Sequence, residues 1–161
     1  MLSHVPSIDS VDNQGATPLM IAAVNDKLQA VKYLLKQGAD PSLQTNDGWN
    51  VLHYASHGGN PEVIELMLSH VLSIDSINSE GVTLLMIAAA YDKLQAVKYL
   101  LKQGADLSLQ DNDGCNVLHC ASGSGNVAIM EEILSYRIDI ELETILVKRR
   151  LWLLRVVVNP R

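Results

Sequence analysis

Short apolar stretches alternate along the chain with polar stretches punctuated by glycine, and the alternation keeps a fixed step. The polar stretches, such as Thr45-Asn46-Asp47-Gly48, have the composition of tight turns. Each is followed by Thr17, Asn50, Thr83 or Asn116, whose side chain can accept a hydrogen bond from the start of a helix. Pro18 follows the first of these, at the helical position that tolerates proline best. An Ala-rich run comes next, as in Met20-Ile21-Ala22-Ala23, and predicts a short first helix. After a break, Leu28, Val31, Leu34 and Leu35 fall at helical spacing and predict a second helix. That helix is expected to stop at Gly38, and its counterpart at Gly104, because glycine enters the left-handed capping conformation at low cost.

The step is 33 residues: it separates Gly15, Gly48, Gly81 and Gly114, and likewise Leu19, Leu52, Leu85 and Leu118. A longer period lies over it. Asp26–Asp40 returns unchanged as Asp92–Asp106, and about 46 of the first 66 positions match the 66 that follow. Such periods are the signature of stacked-repeat architectures. The run Thr17-Pro18-Leu19-Met20-Ile21-Ala22-Ala23, the ending Leu34-Leu35 to Gly38-Ala39-Asp40, and the 33-residue step together resemble ankyrin repeats over about residues 1–136. The resemblance implies an all-α solenoid of helix–turn–helix units joined by hairpin-like turns and stacked into one continuous core. Its units fall at about residues 12–44, 45–77, 78–110 and 111–136, the last incomplete, with residues 1–11 as the remnant of a preceding repeat.

The departures from the family pattern follow the 66-residue period. The helix-start histidine of the family stands at His53 and His119 but is Met20 and Met86 in the alternate repeats. The glycine between helices stands at Gly59 and Gly125 but is Asp26 and Asp92 elsewhere. Each such change is expected to weaken a cap by roughly 1 kcal/mol. Both ends read as cut, which suggests a fragment or isoform. Residues 137–161 form a basic and apolar tail in which Leu142, Ile145, Leu146, Trp152, Leu153, Val156 and Val157 recur at roughly helical spacing. The tail reads as a capping helix over the last repeat, as a continuation replaced by an alternative exon or frame change, or as an amphipathic membrane-surface segment.

Composition narrows the function. The chain has 161 residues, 48% hydrophobic and 19% charged, with 4% aromatic residues and no Phe, so its core must be built from Leu, Ile, Val and Ala. Lys+Arg 12 against Asp+Glu 18 gives a net charge of −6, which argues against nucleic acid as a partner. Two cysteines make no disulfide framework, and no run is long enough to span a membrane. The expected setting is intracellular and cytoplasmic. Cys115, His119 and Cys120 lie close together, and His53 and His57 are four apart, yet neither set has the spacing of a structural zinc site. Gly123-Ser124-Gly125 lacks the lysine of a phosphate-binding loop, and no acid–base pair stands out. No metal, cofactor, small-molecule substrate or catalysis is expected.

The resemblance implies that partners meet the turn tips and the inner face of the first helices. The candidate partner-binding residues are Asn13, Gln14 and Asn25, then Asn46, Asp47, Trp49 and His57, and finally Glu80, Tyr91, Asp113 and Cys115. The resemblance implies five such positions in each of the four repeats, and of the 10 residue pairs that these make between the two 66-residue copies 8 differ, whereas the other 56 positions hold about 12 differences. A partner shaping this surface accounts for the contrast, as does free drift of exposed turns. All six lysines before residue 137 lie on or beside second helices, while Asp47, Glu80 and Asp113 line the candidate surface and Asp12 and Asp111 flank it. A basic or neutral polypeptide is the expected partner. Trp49 and Tyr91 are the natural anchors, unless Trp49 only packs against its own turn and Tyr91 is an exposed tyrosine of no consequence. The reading is a non-enzymatic interaction module, a scaffold or adaptor. The alternative is a regulatory or recruiting segment of a larger enzyme, channel or kinase, and a third is a recent duplication with no specific partner.

Overall fold

A computed structural model of the chain describes residues 7–70 and 73–137. The three readings of the tail, and most of the N-terminal remnant, lie outside these residues. The helices come in pairs: α1 (Pro18–Val24) with α2 (Leu28–Lys36), α3 (Val51–Gly58) with α4 (Pro61–Leu68), α5 (Leu84–Ala90) with α6 (Leu94–Lys102), and α7 (Val117–Ser124) with α8 over residues 127–137. The first helices stack in the order α1, α3, α5, α7, and the second helices form a parallel layer in which α4 touches α2 and α6. Among the described residues, β structure is confined to two isolated antiparallel bridges, Gln44 with Asn50 and Ile77 with Thr83. The molecule is an all-α solenoid.

Two capping chemistries alternate along the stack. In the first, the hydroxyl of Thr17 accepts the Met20 N–H at 3.3 Å and the Thr17 N–H faces the Met20 sulfur at 3.5 Å. Thr83 and Met86 repeat the arrangement. In the second, Asn50 Oδ1 accepts the N–H groups of Leu52 and His53, while the Asn50 N–H donates to His53 Nδ1 at 3.1 Å. Asn116 and His119 repeat that one. Methionine thus supplies the reciprocal acceptor that histidine supplies elsewhere, and the exchange keeps a closed box rather than opening the cap. At the break between helices Gly59 has φ +99° and Gly125 φ +76°, and Asp26 and Asp92 adopt the same left-handed region at +55° and +61°. Asp tolerates that region better than most side chains, so the break survives loss of glycine.

The second helices end as expected. At Gly38 (φ +90°) the N–H reaches Leu35 O at 3.0 Å, and the Ala39 N–H reaches Leu34 O at 3.0 Å. This pair of bonds satisfies carbonyls that the helix leaves open. The sequence LQAVKYLLK occurs in both α2 and α6, but burial differs: α2 buries only Val31, whereas α6 buries Ala96, Val97, Leu100 and Leu101. Position in the stack, not sequence, makes the difference, since α6 has a neighbour on each side; Lys98 joins it to Glu132 of α8 at 3.6 Å. The turns register against one another through backbone bonds: Asn46 N to Gln14 O, Ser79 N to Asp47 O, and Asn112 N to Glu80 O, at 2.9 to 3.1 Å.

Candidate functional site

The turn tips and the exposed side of the first helices form one edge of the stack, and its central part is aromatic. Trp49 leaves the second turn, held by a bond from its own N–H to Thr45 Oγ1 at 3.1 Å. Tyr54 and His57 project from α3 three residues apart, so they share a face of that helix. The Trp49 ring lies 5.7 Å from Tyr54, edge to face, 5.8 Å from His53 and 6.4 Å from His57. Tyr91 caps α5 and stacks on His57 with ring centroids 3.8 Å apart. The rings of Trp49, Tyr54, His57 and Tyr91, with Gln14, Val24, Thr45 and Asp47, line a groove of about 380 Å³ that crosses the first three repeats.

The groove has a negative bias. Burial pushes the Tyr54 phenol up from its usual range, and the carboxylates of Asp12 and Asp47 push it further the same way. Burial pushes His57 down, and the ammonium of Lys93 adds to the effect, so both favour the neutral ring. Lys93 amends the expected picture of a surface remote from every cation, because its charge reaches His57. Asp12 and Asp111 also have structural work: each places one carboxylate oxygen on two N–H groups of its own turn, Gln14 and Ala16 for Asp12, Asp113 and Cys115 for Asp111. Asp47, Glu80 and Asp113 are exposed.

Of the eleven candidate residues, Gln14, Asp47, Trp49, His57 and Tyr91 come together in the groove. Asn46 serves the turn row, its side chain donating to Asn13 O at 3.3 Å. Asn25 lies away from the groove, on the face shared by Val11, Ile21 and Leu34, and its side chain bonds to Ile21 O at 2.8 Å. Glu80, Asp113 and Cys115 sit in the turns of the third and fourth repeats. The Trp49 ring meets three rings of α3 and is half-buried. Tyr91 is 48% exposed even while stacked. Tyr54 and Thr45 were missed as groove residues. A signal for both existed, since position 54 is Cys at 120 and position 45 is Asp at 111, two of the few differences between the copies.

No group of three or more His, Cys, Asp or Glu side chains gathers to hold a metal among the described residues. Cys115 and Cys120 are free and half-buried, and burial pushes the Cys120 thiol up, away from a reactive thiolate. No helix among the described residues is long and apolar enough to cross a membrane.

The family model for ankyrin repeats in three copies matches residues 1–78 and again residues 71–144. The chain belongs to the ankyrin-repeat family. Ankyrin repeats typically mediate protein–protein interaction and are generally not catalytic in themselves. Among curated ankyrin relatives, the chain is 33% identical over 135 residues to the transient receptor potential cation channel subfamily A member 1 of Homo sapiens, covering 83% of this chain and 12% of that protein. It is 32% identical over 117 residues to the nuclear factor NF-kappa-B p105 subunit of Gallus gallus, 70% of this chain and 12% of that one. It is 32% identical over 128 residues to the palmitoyltransferase AKR1 of Lachancea kluyveri, 77% of this chain and 17% of that one. This ankyrin stack therefore spans less than a fifth of the length of each of these relatives.

Proposed function

We propose that this ankyrin stack is a non-catalytic adaptor that holds an extended polypeptide in the groove of Trp49, Tyr54, His57 and Tyr91, with Asp12 and Asp47 selecting a basic or neutral segment. The observation that carries the reading is the convergence of four rings from two repeats, beside carboxylates, in a groove that crosses three repeats. Large amphipathic rings supply contact area at low entropic cost, and interface energy concentrates on such anchors. The negative bias favours approach of a cationic segment and disfavours nucleic acid. Asn13, Asn46, Glu80, Asp113 and Cys115 extend the same surface along the turn tips, and an intracellular, cytoplasmic setting suits two free cysteines.

A second reading is favoured by the small share of each relative that the chain covers: the stack works as the recruiting segment of a longer protein whose activity lies elsewhere. Both readings place binding on the same groove. Affinity capture from cell lysate with the wild type beside a Trp49→Ala/Tyr91→Ala variant tests it, with circular dichroism verifying the helices of both. The expected outcome is a protein retained by the wild type, released as salt rises and lost by the folded variant. Equal capture by both would remove the groove from consideration.

A further inference from the structure

The two ends of the stack are the two halves of a junction that the chain makes at its centre. Repeat two meets repeat three where α3 packs on α5 and α4 on α6. The 66-residue period makes repeat four a copy of repeat two, and repeat one a copy of repeat three. At the centre the matching surfaces are closed: His53 and Ser56 are fully buried, and Ile87 is only 2% exposed. At the two ends the counterparts have no such neighbour among the described residues, with His119 and Ser122 exposed and Ile21 44% exposed. Ala96 is buried and its copy Ala30 is exposed.

Close packing tells the same story. A methyl group added at Gly48 would meet Ser79 Oγ at 2.6 Å and Ser79 N at 2.9 Å, whereas at Gly114, in the same Asn-Asp-Gly turn, it would meet nothing within 4 Å. The stem of Lys93 covers Gly59, while space beside the matching Gly125 is open. Six residues of the central contact are retained at both ends: His53, Ser56 and Gly59 recur as His119, Ser122 and Gly125, and Ile87, Lys93 and Ala96 recur as Ile21, Lys27 and Ala30, whereas His57, Ser79 and Tyr91 become Gly123, Asn13 and Asn25. The open face of repeat one is an apolar groove of about 680 Å³ bordered by Val11, Ile21, Ala22, Ala30 and Leu34.

We propose that the open face of α7 and α8 in one copy stacks on the open face of α1 and α2 of a second copy, reproducing between molecules the junction of repeats two and three. The contact joins two different surfaces, so it generates an open row that lengthens with concentration rather than a closed symmetric dimer. In the central junction the Ser79 N–H donates to Asp47 O at 3.1 Å. The equivalent bond between copies runs from the Asn13 N–H of the second copy to the Asp113 carbonyl of the first. The intermolecular junction is weaker than the internal one for two reasons. The stack of His57 on Tyr91 becomes Gly123 beside Asn25, and association costs translational freedom that a covalent neighbour has already lost.

Sedimentation velocity on the full chain across a concentration series tests the proposal. The expected result is a weight-average mass that rises with concentration above the 17.6 kDa of one chain. Ile21→Glu blocks one face and Ser122→Arg the other, both at exposed helix positions, so each variant alone is expected to stay monomeric with its helices intact by circular dichroism. An equimolar mixture of the two retains one good face of each kind and is expected to form a dimer and nothing larger. Gly114→Ala, which enters open space in the monomer, is a milder block expected to weaken association at least tenfold. A wild type that is monomeric at every concentration overturns the proposal. So do single variants that still associate, or a mixture that forms no dimer.

Discussion

His53 is enclosed by the repeat that follows it. Its Nδ1 is occupied by the Asn50 N–H, which puts the proton of the neutral ring on Nε2, and that atom makes no hydrogen bond of normal geometry. Burial dominates, pushing the pKa from 6.5 down to about 4, with the Val82 backbone opposing weakly. The folded state therefore prefers the neutral ring. Its contribution to stability is complete above pH 6.5 and is lost as pH falls towards 4, amounting to about 2 kcal/mol at pH 5. Unfolding free energies from urea titrations at pH 7.5 and pH 5 are expected to differ by about 2 kcal/mol more in the wild type than in His53→Gln. An equal separation would show that the ring is protonated without penalty. The difference in burial between His53 and His119 was not to be had from the sequence. The helix-start role of both histidines is legible from Asn-x-x-His spacing, but enclosure depends on the neighbouring repeat, and His119 is exposed.

The helices are as short as the pattern suggests, so their ends weigh heavily in their stability. Asn50 is buried and its side chain accepts two backbone N–H groups, whereas the Thr17 hydroxyl accepts one. Asn50→Ala is expected to cost about 2 kcal/mol and Thr17→Ala about 1 kcal/mol, read from chemical denaturation. A matched pair of turns isolates stacking from backbone strain. Gly48 and Gly114 have φ of +75° and +79°, so replacement by Ala strains both alike, but only Gly48 has Ser79 against it. Gly48→Ala is expected to be the more destabilising by about 1–2 kcal/mol. Equal losses in the two would mean that the turns do not register through this contact. Helix positions, the Gly38 ending and the hairpin-like turns were all legible, because each depends on a few adjacent residues. The role of Met20 was not: thioether sulfur is a weak acceptor, and in a pattern of letters its arrival looks like a lost histidine.

In the stack as a whole, location decides what a sequence does. The nine identical residues of α2 and α6 differ only in what surrounds them, and opening a helix costs more where neighbours flank both sides. Backbone amides of α6 are expected to exchange with deuterium at least tenfold more slowly than the same amides of α2. Similar rates would indicate that the repeats open together rather than from the first repeat inward. The aromatic groove was partly legible for the same reason. Differences between the two copies marked Trp49, His57 and Tyr91, but which rings meet depends on the step from one repeat to the next, and this brought in Tyr54 and left Asn25 outside.

The alternation of threonine–methionine and asparagine–histidine boxes sets the increment by which such an array can change length. Every contact between neighbours pairs one type of unit with the other, so a lone inserted unit would bring two of a kind together across a boundary that has no precedent in the chain. Insertion or loss of 66 residues creates no new kind of boundary. Unequal recombination within the gene is therefore tolerated in steps of two units, and alleles of different length are expected to carry an even number more or fewer, each already fitted to its neighbours.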